Sequence, residues 1–184
     1  IIERDLDDLR RHGFNWLRVW ATWDAFNNDV SAVDGEGRPR EPFWGRLQWL
    51  VAECDRRSMV VDVTLARGNG KAAAGRLPTL AAHRRALETL ITELKPYRNW
   101  YLDLANERSV RDERFVSFAE FRQLRDLARQ LDPRRLVTAS DGGDISRGDL
   151  REYLRTAQVD FICPHRGRTA DLPALTEAKS REYR

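Results

Sequence analysis

Apolar residues follow two patterns that alternate along the chain, one with helical spacing and one in short compact runs. Helical spacing occurs in the segments 1–12, 47–54, 80–94, 118–131 and 150–154. Runs rich in β-branched and aromatic residues lie at 14–20, 59–65, 100–105, 136–139 and 159–163. Such an alternation of helices and strands predicts a parallel sheet covered by helices.

Five helix and strand units fit either an open doubly wound sheet or part of a closed (β/α)8 barrel. A nucleotide-binding sheet of the first kind requires a glycine-rich turn between its first strand and the following helix. Neither G-x-G-x-x-G nor a P-loop is present, and Gly68-Asn69-Gly70 follows a later strand and lacks the third glycine. The sequence therefore disfavours a nucleotide site, and other motifs must identify the fold.

Length and composition describe an ordinary globular domain of 184 residues, 41% hydrophobic and 33% charged. No run approaches the roughly 18 apolar residues of a membrane span. The net charge of +3 does not indicate nucleic-acid binding, because acidic and basic residues alternate, as in Glu3-Arg4-Asp5. Cys54 and Cys163 lack the spacing of a zinc site or a disulfide framework, and we expect both to be buried.

The most informative segment is 100–107, in which an apolar strand ends in Asn106 and Glu107. In a barrel, the carboxyl ends of the strands form the active face. Glycoside hydrolysis needs a carboxyl group that protonates the leaving oxygen and a hydrogen-bonding neighbour that fixes the sugar hydroxyls. Asn106 and Glu107 are residues of the required types.

In this segment and two others, the chain resembles the cellulase-like superfamily of retaining glycoside hydrolases, clan A, which are (β/α)8 TIM barrels. The fourth strand of that family ends in Asn-Glu, which implies that Glu107 is the acid/base and that Asn106 binds the sugar's 2-hydroxyl group. Its second strand carries an arginine that supports the nucleophile, which implies that role for Arg18. Its sixth strand often ends in histidine, which implies a role for His165 in substrate binding or a proton network.

Each of these residues also has an ordinary structural interpretation. A buried cation in a strand is costly unless it is paired, so Arg18 is expected to have an acidic partner. The alternative places Arg18 in solvent, or in a purely structural pair with Asp62. His165 could equally be an ordinary loop histidine, and we interpret His12 and His83 as structural.

Aromatic side chains are numerous, and sugar sites use flat aromatic faces to stack on pyranose rings. The aromatic residues that could do so are Trp20, Trp23, Phe26, Trp44 and Trp100. Trp23, in the long loop after the first visible strand, is the predicted stacking residue, with loop anchoring as its alternative. The segment 141–144, Asp-Gly-Gly-Asp, either binds sugar hydroxyls or forms a turn.

The chain departs from the family pattern at several positions. Arg108 follows Glu107 where the family usually has proline, Gly167 stands where an aromatic residue is common, and Leu65-Ala66-Arg67 replaces a frequent histidine. The nucleophile, a glutamate at the end of strand seven, has no counterpart. Glu177 and Glu182 fall on a predicted helix after strand six.

These observations predict an α/β fold: a partial (β/α)8 TIM barrel comprising about strands two to six with their helices. Residues 1–184 would form a single incomplete catalytic domain, truncated at both ends, with uncovered edges that favour self-assembly. The predicted activity is retaining hydrolysis of O-glycosidic bonds in an oligo- or polysaccharide, with the nucleophile missing and the fragment alone inactive.

Two other functions remain compatible with the sequence. One is a non-catalytic carbohydrate-binding barrel, and the other is an unrelated barrel enzyme that uses Glu107 as a proton-abstracting base. No metal or cofactor is implied. We expect a carbohydrate partner, no nucleic acid and no membrane, whereas the glycan, the oligomeric state and the localisation stay open.

Overall fold

The computed structural model describes residues 1–25, 28–65, 77–109 and 115–183. Its helices are α1 (Ile2–Arg11), α2 (Phe43–Arg56), α3 (Leu80–Glu93), α4 (Phe118–Leu131), α5 (Arg147–Arg151), which continues as a π-helical segment (Glu152–Ala157), and α6 (Leu172–Glu182). Its strands are β1 (Trp16–Trp20), β2 (Asp24–Ala25), β3 (Asn28–Asp29), β4 (Val60–Thr64), β5 (Trp100–Asp103), β6 (Val137–Thr138), β7 (Ser140–Gly142) and β8 (Cys163–His165).

The strands of the main sheet are parallel and follow the chain in the order β1-β4-β5-β6. One residue after β6, β7 begins and pairs in parallel with β8. Helices connect the successive strand positions, which is the arrangement of consecutive units in a barrel. β2 and β3 form a short antiparallel hairpin within the long loop after β1.

One face of the sheet packs against the helices and is dry. Alternate strand residues point to opposite faces, and on this helix-covered face Val61, Val63, Leu102, Leu104 and Val137 are all completely buried. The helices begin at residues suited to their ends: Thr79 caps α3, and Ser117 with Glu120 forms a capping box on α4. The burial of these alternate apolar side chains determines which face of each strand packs against the helices.

The opposite face, which we call the inner face, changes character along the strands. At their amino ends it is apolar and open, since Trp16, Val60 and Leu136 are 47%, 40% and 50% exposed. Further along it is polar and buried. The inner-face residues Arg18 and Asp62 are opposite one another in the β1–β4 register, and Thr64 is opposite Asp103 in the β4–β5 register.

Two predicted elements differ from the structure. β8 lies at Cys163–His165 rather than at 159–163. The earlier residues contact β6 largely through side chains, since Val137 N donates to Asp160 Oδ2 at 2.7 Å and Thr138 Oγ1 donates to Phe161 O at 2.7 Å. The loop predicted over 21–42 also contains the β2–β3 hairpin.

None of the described helices is long and apolar enough to cross a membrane. Phe26, the segment 66–76 and the turn Gly68-Asn69-Gly70 lie outside the described residues.

Candidate active site

Arg18 lies at the centre of a polar cluster on the inner face. Its side chain is only 18% exposed, and its Nη2 donates to the carboxylate of Asp103. Its Nε donates to Thr64 Oγ1 at 2.7 Å and lies 3.5 Å from Asp62 Oδ2. The expectation of an acidic partner for Arg18 is therefore confirmed, with two carboxylates rather than one, and the solvent-facing alternative is wrong.

The two carboxylates share this guanidinium in a nearly water-free position. Asp62 is 1% exposed and Asp103 is fully buried. Burial, reinforced by the charge of Asp62, raises the pKa of Asp103 to about 7 against the opposing effect of Arg18. Burial also raises the pKa of Asp62. Because one cation faces two buried acids, the fully ionised form of this cluster is disfavoured near neutral pH.

The cluster continues toward the amino ends of the strands. Tyr101 OH donates to Asp62 Oδ2 at 3.1 Å, and Trp16 Nε1 donates to Tyr101 OH at 3.0 Å. Burial and the negative charge of Asp62 raise the pKa of Tyr101, so the phenol keeps its proton and can donate it. Each oxygen of the Asp62 carboxylate thus accepts a hydrogen bond. Tyr101 OH donates to Oδ2, and Thr64 Oγ1 donates to Oδ1 at 3.0 Å.

His165, at the end of β8, connects Arg18 to Glu107. Its Nε2 lies 2.8 Å from Arg18 Nη1, and its Nδ1 lies 3.2 Å from Glu107 Oε1. Arginine can only donate, so we assign Nε2 as the acceptor and Nδ1 as the N–H that donates to Glu107. Burial and the charge of Arg18 lower the pKa of His165, while Glu107 opposes that change. The histidine is therefore neutral at pH 7.

Glu107 sits in the turn that follows β5, with its side chain 26% exposed. Its backbone has a φ of 50°, in the left-handed region. That conformation costs a non-glycine residue about 1–2 kcal/mol, and such residues cluster at functional sites. The main-chain N–H of Glu107 donates to Ser140 Oγ at 3.0 Å. Its neighbour Asn106 is buried, 4% exposed.

Arg108, which follows Glu107 where proline is usual, makes contacts that proline could not make. Arg108 N donates to Ser140 O at 3.0 Å, a bond that proline cannot make because it has no N–H. The Arg108 guanidinium lies 3.5 Å from the Phe118 ring centroid, and its Nε donates to Val116 O at 3.0 Å. Arg108 therefore links the turn that contains Glu107 to β7 through Ser140 and to the start of α4 through Phe118.

Two tryptophans extend the site from Arg18 toward the loop after β1. The Trp20 ring centroid lies 5.8 Å from Arg18 Cζ, and Trp23 meets Trp20 edge to face at 4.8 Å. Trp23 is 37% exposed, and its main-chain N–H donates to the buried Ser31 hydroxyl at 2.9 Å. Its predicted stacking role stays a prediction.

Arg18 thus contacts His165, and His165 contacts Glu107. Asn106 is adjacent to Glu107 in the chain, and Trp23 contacts Trp20, which lies near Arg18. Three residues that contact the Arg18 guanidinium were not singled out from the sequence: Thr64, Asp103 and Ser140. Their signal is a polar residue at every second position of an otherwise apolar strand, as in Asp62 and Thr64 of β4. In a helix-covered strand, such a residue must find partners on the inner face.

The remaining sequence candidates lie elsewhere. His83 is fully buried on α3, with Nε2 2.8 Å from Leu104 O, and His12 ends α1. Asp141 accepts from Tyr153 OH at 2.8 Å, and Asp144 pairs with Arg166. Asp141 and Gly142 belong to β7 rather than to a turn, and the predicted binding of sugar hydroxyls by the segment 141–144 stays a prediction.

Neither α6 nor the cysteines add reactive groups to the cluster. Glu177 and Glu182 lie on α6 and pair with basic residues of the same helix. Cys54 is buried, as expected, whereas Cys163 is only partly buried, with Sγ 3.8 Å from His165 Nε2. Burial raises the pKa of the Cys163 thiol to about 11. Across the described ranges, no group of three or more His, Cys, Asp or Glu residues is arranged to hold a metal ion.

The topology and the position of the cluster at the strand ends identify the fold as part of a (β/α)8 barrel, as predicted. Solved structures that resemble it are glycoside hydrolases. An exo-β-1,4-mannosidase from Opitutaceae bacterium strain TAV5 matches with a TM-score of 0.66 and 18% identity, over 89% of this chain and 33% of its own. A family 5 mannosidase from Rhizomucor miehei in complex with mannosyl-fructose matches with a TM-score of 0.66 and 14% identity, over 98% and 57%.

A β-mannanase from the blue mussel Mytilus edulis matches with a TM-score of 0.63 and 16% identity, over 92% of this chain and 65% of its own. The chain thus spans between a third and two thirds of these proteins. No protein-family model and no curated protein matches the sequence. At these identities, the likeness establishes the fold.

Proposed function

We propose that this chain forms about strands two to six of a retaining glycoside hydrolase in which Glu107 is the acid/base. The observation that carries the proposal is the contact of Glu107 Oε1 with His165 Nδ1, at 3.2 Å, and of His165 with Arg18, at 2.8 Å. Arg18, His165 and Glu107 come from β1, from β8 and from the turn after β5, and meet at the face where barrel enzymes react.

In the first step, the protonated Glu107 carboxyl gives its proton to the glycosidic oxygen as the bond from that oxygen to the anomeric carbon breaks. A nucleophilic carboxylate bonds to the same carbon. In the second step, ionised Glu107 takes a proton from water while the water oxygen displaces the nucleophile. The neutral His165 holds Oε1 by donating from Nδ1, which orients the carboxyl through both steps.

The nucleophile in this proposal is a glutamate outside the 184 residues. Both inner-face acids of the described strands, Asp62 and Asp103, are already bound to Arg18. Retention requires the second carboxyl about 5–5.5 Å from Glu107. Arg18, the cation of the same cluster, would support the negative charge of that carboxylate. The 184-residue chain alone is then expected to be inactive.

The proposed substrates are β-linked oligo- or polysaccharides, with β-mannosides tested first because two of the similar structures are named as an exo-β-1,4-mannosidase and a β-mannanase. Asn106 would bind the 2-hydroxyl group of the sugar next to the scissile bond. Trp23 would stack on a pyranose ring. Carbohydrate is the only partner this proposal requires.

The test is Glu107→Gln in the protein that carries the rest of the barrel, assayed on unactivated and dinitrophenyl β-mannosides and β-glucosides. We expect a loss of about 10²–10⁴-fold on unactivated substrates, which need a proton donor. The first step on dinitrophenyl substrates should change little, and added azide should restore their turnover because it needs no general base.

The matched control is Glu177→Gln, an exposed glutamate of α6 paired with Arg181, which should behave as wild type. Normal activity of Glu107→Gln on an unactivated glycoside would remove Glu107 from the mechanism. Oligosaccharide binding without hydrolysis in the wild type would instead favour the non-catalytic barrel.

A further inference from the structure

We propose that Ser140 positions Glu107 by holding the main chain of the turn on which Glu107 lies. The catalytic meaning of this inference rests on the proposed function. Its structural content does not, since it concerns only how the Glu107 carboxyl is kept against His165.

Ser140 contacts the Glu107 turn at three points. It is fully buried at the start of β7, and its Oγ accepts from Glu107 N at 3.0 Å. The same hydroxyl donates to Ala105 O at 3.4 Å, and the Ser140 carbonyl accepts from Arg108 N at 3.0 Å. One residue thus binds the chain on both sides of Glu107 and at Glu107 itself.

The contacts of Ser140 with the Glu107 turn lie where the regular sheet ends. The last main-chain hydrogen bond between the β5 and β6 segments runs from Leu104 N to Thr138 O, at 2.8 Å. Beyond it the chain turns, and Glu107 adopts a φ of 50°, so its N–H cannot continue a parallel ladder. A side-chain hydroxyl replaces the missing ladder acceptor. Without it, a main-chain donor would lose its partner in a conformation that is already unfavourable.

Ser140 is itself held by the Arg18 cluster. Its main-chain N–H donates to Asp103 Oδ1 at 3.0 Å, while Arg18 binds the other oxygen of that carboxylate. Arg18 also reaches the Ser140 hydroxyl at 3.4 Å. The contacts close a ring, which we call the Arg18 ring, in the order Arg18, His165, Glu107, Ser140, Asp103 and back to Arg18. The ring holds Glu107 by its carboxyl at one end and by its main chain at the other.

The test is Ser140→Ala in the 184-residue chain, read by an NMR titration of the His165 ring. The chain has three histidines, so His165→Asn assigns the signal. The charged groups facing His165 are Arg18, Asp62 and Glu107, and of the last two Glu107 acts through a direct hydrogen bond that raises the pKa of His165. If Ser140 positions Glu107, Ser140→Ala lowers the pKa of His165, in the direction of Glu107→Gln and by less.

Ser31→Ala is the matched control. Ser31 is also fully buried, and its hydroxyl accepts from Trp23 N at 2.9 Å and donates to Trp23 O at 3.3 Å. Removing it deletes the same kind of bonds away from the Arg18 ring, so the His165 titration should match wild type. Ser140→Cys, which keeps the volume but is a poor acceptor, should repeat the Ser140→Ala result and serves where alanine prevents folding.

An unchanged His165 titration in Ser140→Ala or Ser140→Cys would overturn the proposal. So would failure of both variants to fold while Ser31→Ala folds, because Ser140 would then act through fold stability alone. In the hydrolytically active protein, Ser140→Ala should lower kcat on unactivated glycosides about tenfold, the equivalent of one lost hydrogen bond, with KM unchanged. A shifted titration without any hydrolysis would refute the proposed function and leave the positioning role intact.

Discussion

The two faces of the sheet are stabilised in different ways. On the helix-covered face, Val61, Val63, Leu102 and Leu104 are fully buried, and any apolar side chain of similar volume would satisfy the same requirement. On the inner face, the buried side chains of the Arg18 ring are polar and are satisfied by particular partners at particular distances. One face tolerates substitution within a chemical class, whereas the other does not.

The inner face is also divided within itself. The ring residues at the carboxyl ends are largely buried: Asp103 and Ser140 are fully buried, and the side chains of Arg18, His165 and Glu107 are 18%, 23% and 26% exposed. The amino-end residues Trp16, Val60 and Leu136 are 40–50% exposed. The polar end therefore forms a closed hydrogen-bond network in the described part of the chain, whereas the apolar side chains at the other end are exposed.

The substitution expected to destabilise the inner face most is Arg18→Met. This change leaves Asp62 and Asp103 buried without their cation, and breaking such a pair costs about 3–5 kcal/mol. We expect that loss in the free energy of unfolding measured with urea. Arg147→Met, whose side chain is 79% exposed, should stay within about 0.5 kcal/mol of wild type. Equal stabilities for the two variants would mean that the Arg18 ring contributes nothing to folding.

The second test is the pH dependence of the free energy of unfolding. The helix-covered face does not contribute to it, because its buried side chains are apolar and do not titrate. Burial raises the pKa of Asp103 to about 7, above its unfolded value of about 3.9. Between these values the folded state binds the extra proton, so the free energy of unfolding falls as the pH rises from about 4 to about 7.

Asp103→Asn should flatten that decline, as measured by urea unfolding across the pH range. His165 contributes the opposite slope, because its lowered pKa makes the folded state bind fewer protons near pH 6. His165 is present in both proteins, so the difference between them reports the loss of the Asp103 carboxyl, including its effect on the neighbouring Asp62. Parallel pH profiles for wild type and Asp103→Asn would contradict a raised pKa at Asp103.

The smallest effect on stability is expected at the open apolar end. Leu136→Thr should change the free energy of unfolding by less than about 0.5 kcal/mol, yet weaken self-association of the chain about threefold in sedimentation velocity. Leu154→Thr is the matched control, since Leu154 is 46% exposed against 50% for Leu136 and lies on the π-helical segment. An equal effect of both changes would show that association does not use the inner face.

Much of the architecture could be predicted because it depends on local spacing. β1, β4, β5 and β6 fall within the predicted runs, and the helical stripes correspond to α1 to α4. The motif order also predicted that Arg18, His165 and Glu107 would share one face, and the structure brings them into contact. Their roles in catalysis stay predictions.

Other features depend on contacts that no local pattern contains. β8 begins later than predicted because the Asp160 carboxylate accepts from Val137 N, 23 residues away in sequence. Asp103 and Ser140 join the Arg18 ring across a separation of 37 residues. Nothing in the immediate neighbourhood of Ser140 indicates that its hydroxyl replaces a ladder bond for Glu107.

By itself, the sequence determined the α/β alternation, the apolar face of each strand and the chemistry available at each strand end, since helical and strand periodicities are properties of neighbouring residues. Only the tertiary structure decided which acids pair with Arg18, which tautomer His165 adopts and what holds Glu107 in its left-handed turn. Those outcomes follow from the register of parallel strands, which sets distances between residues far apart in the chain.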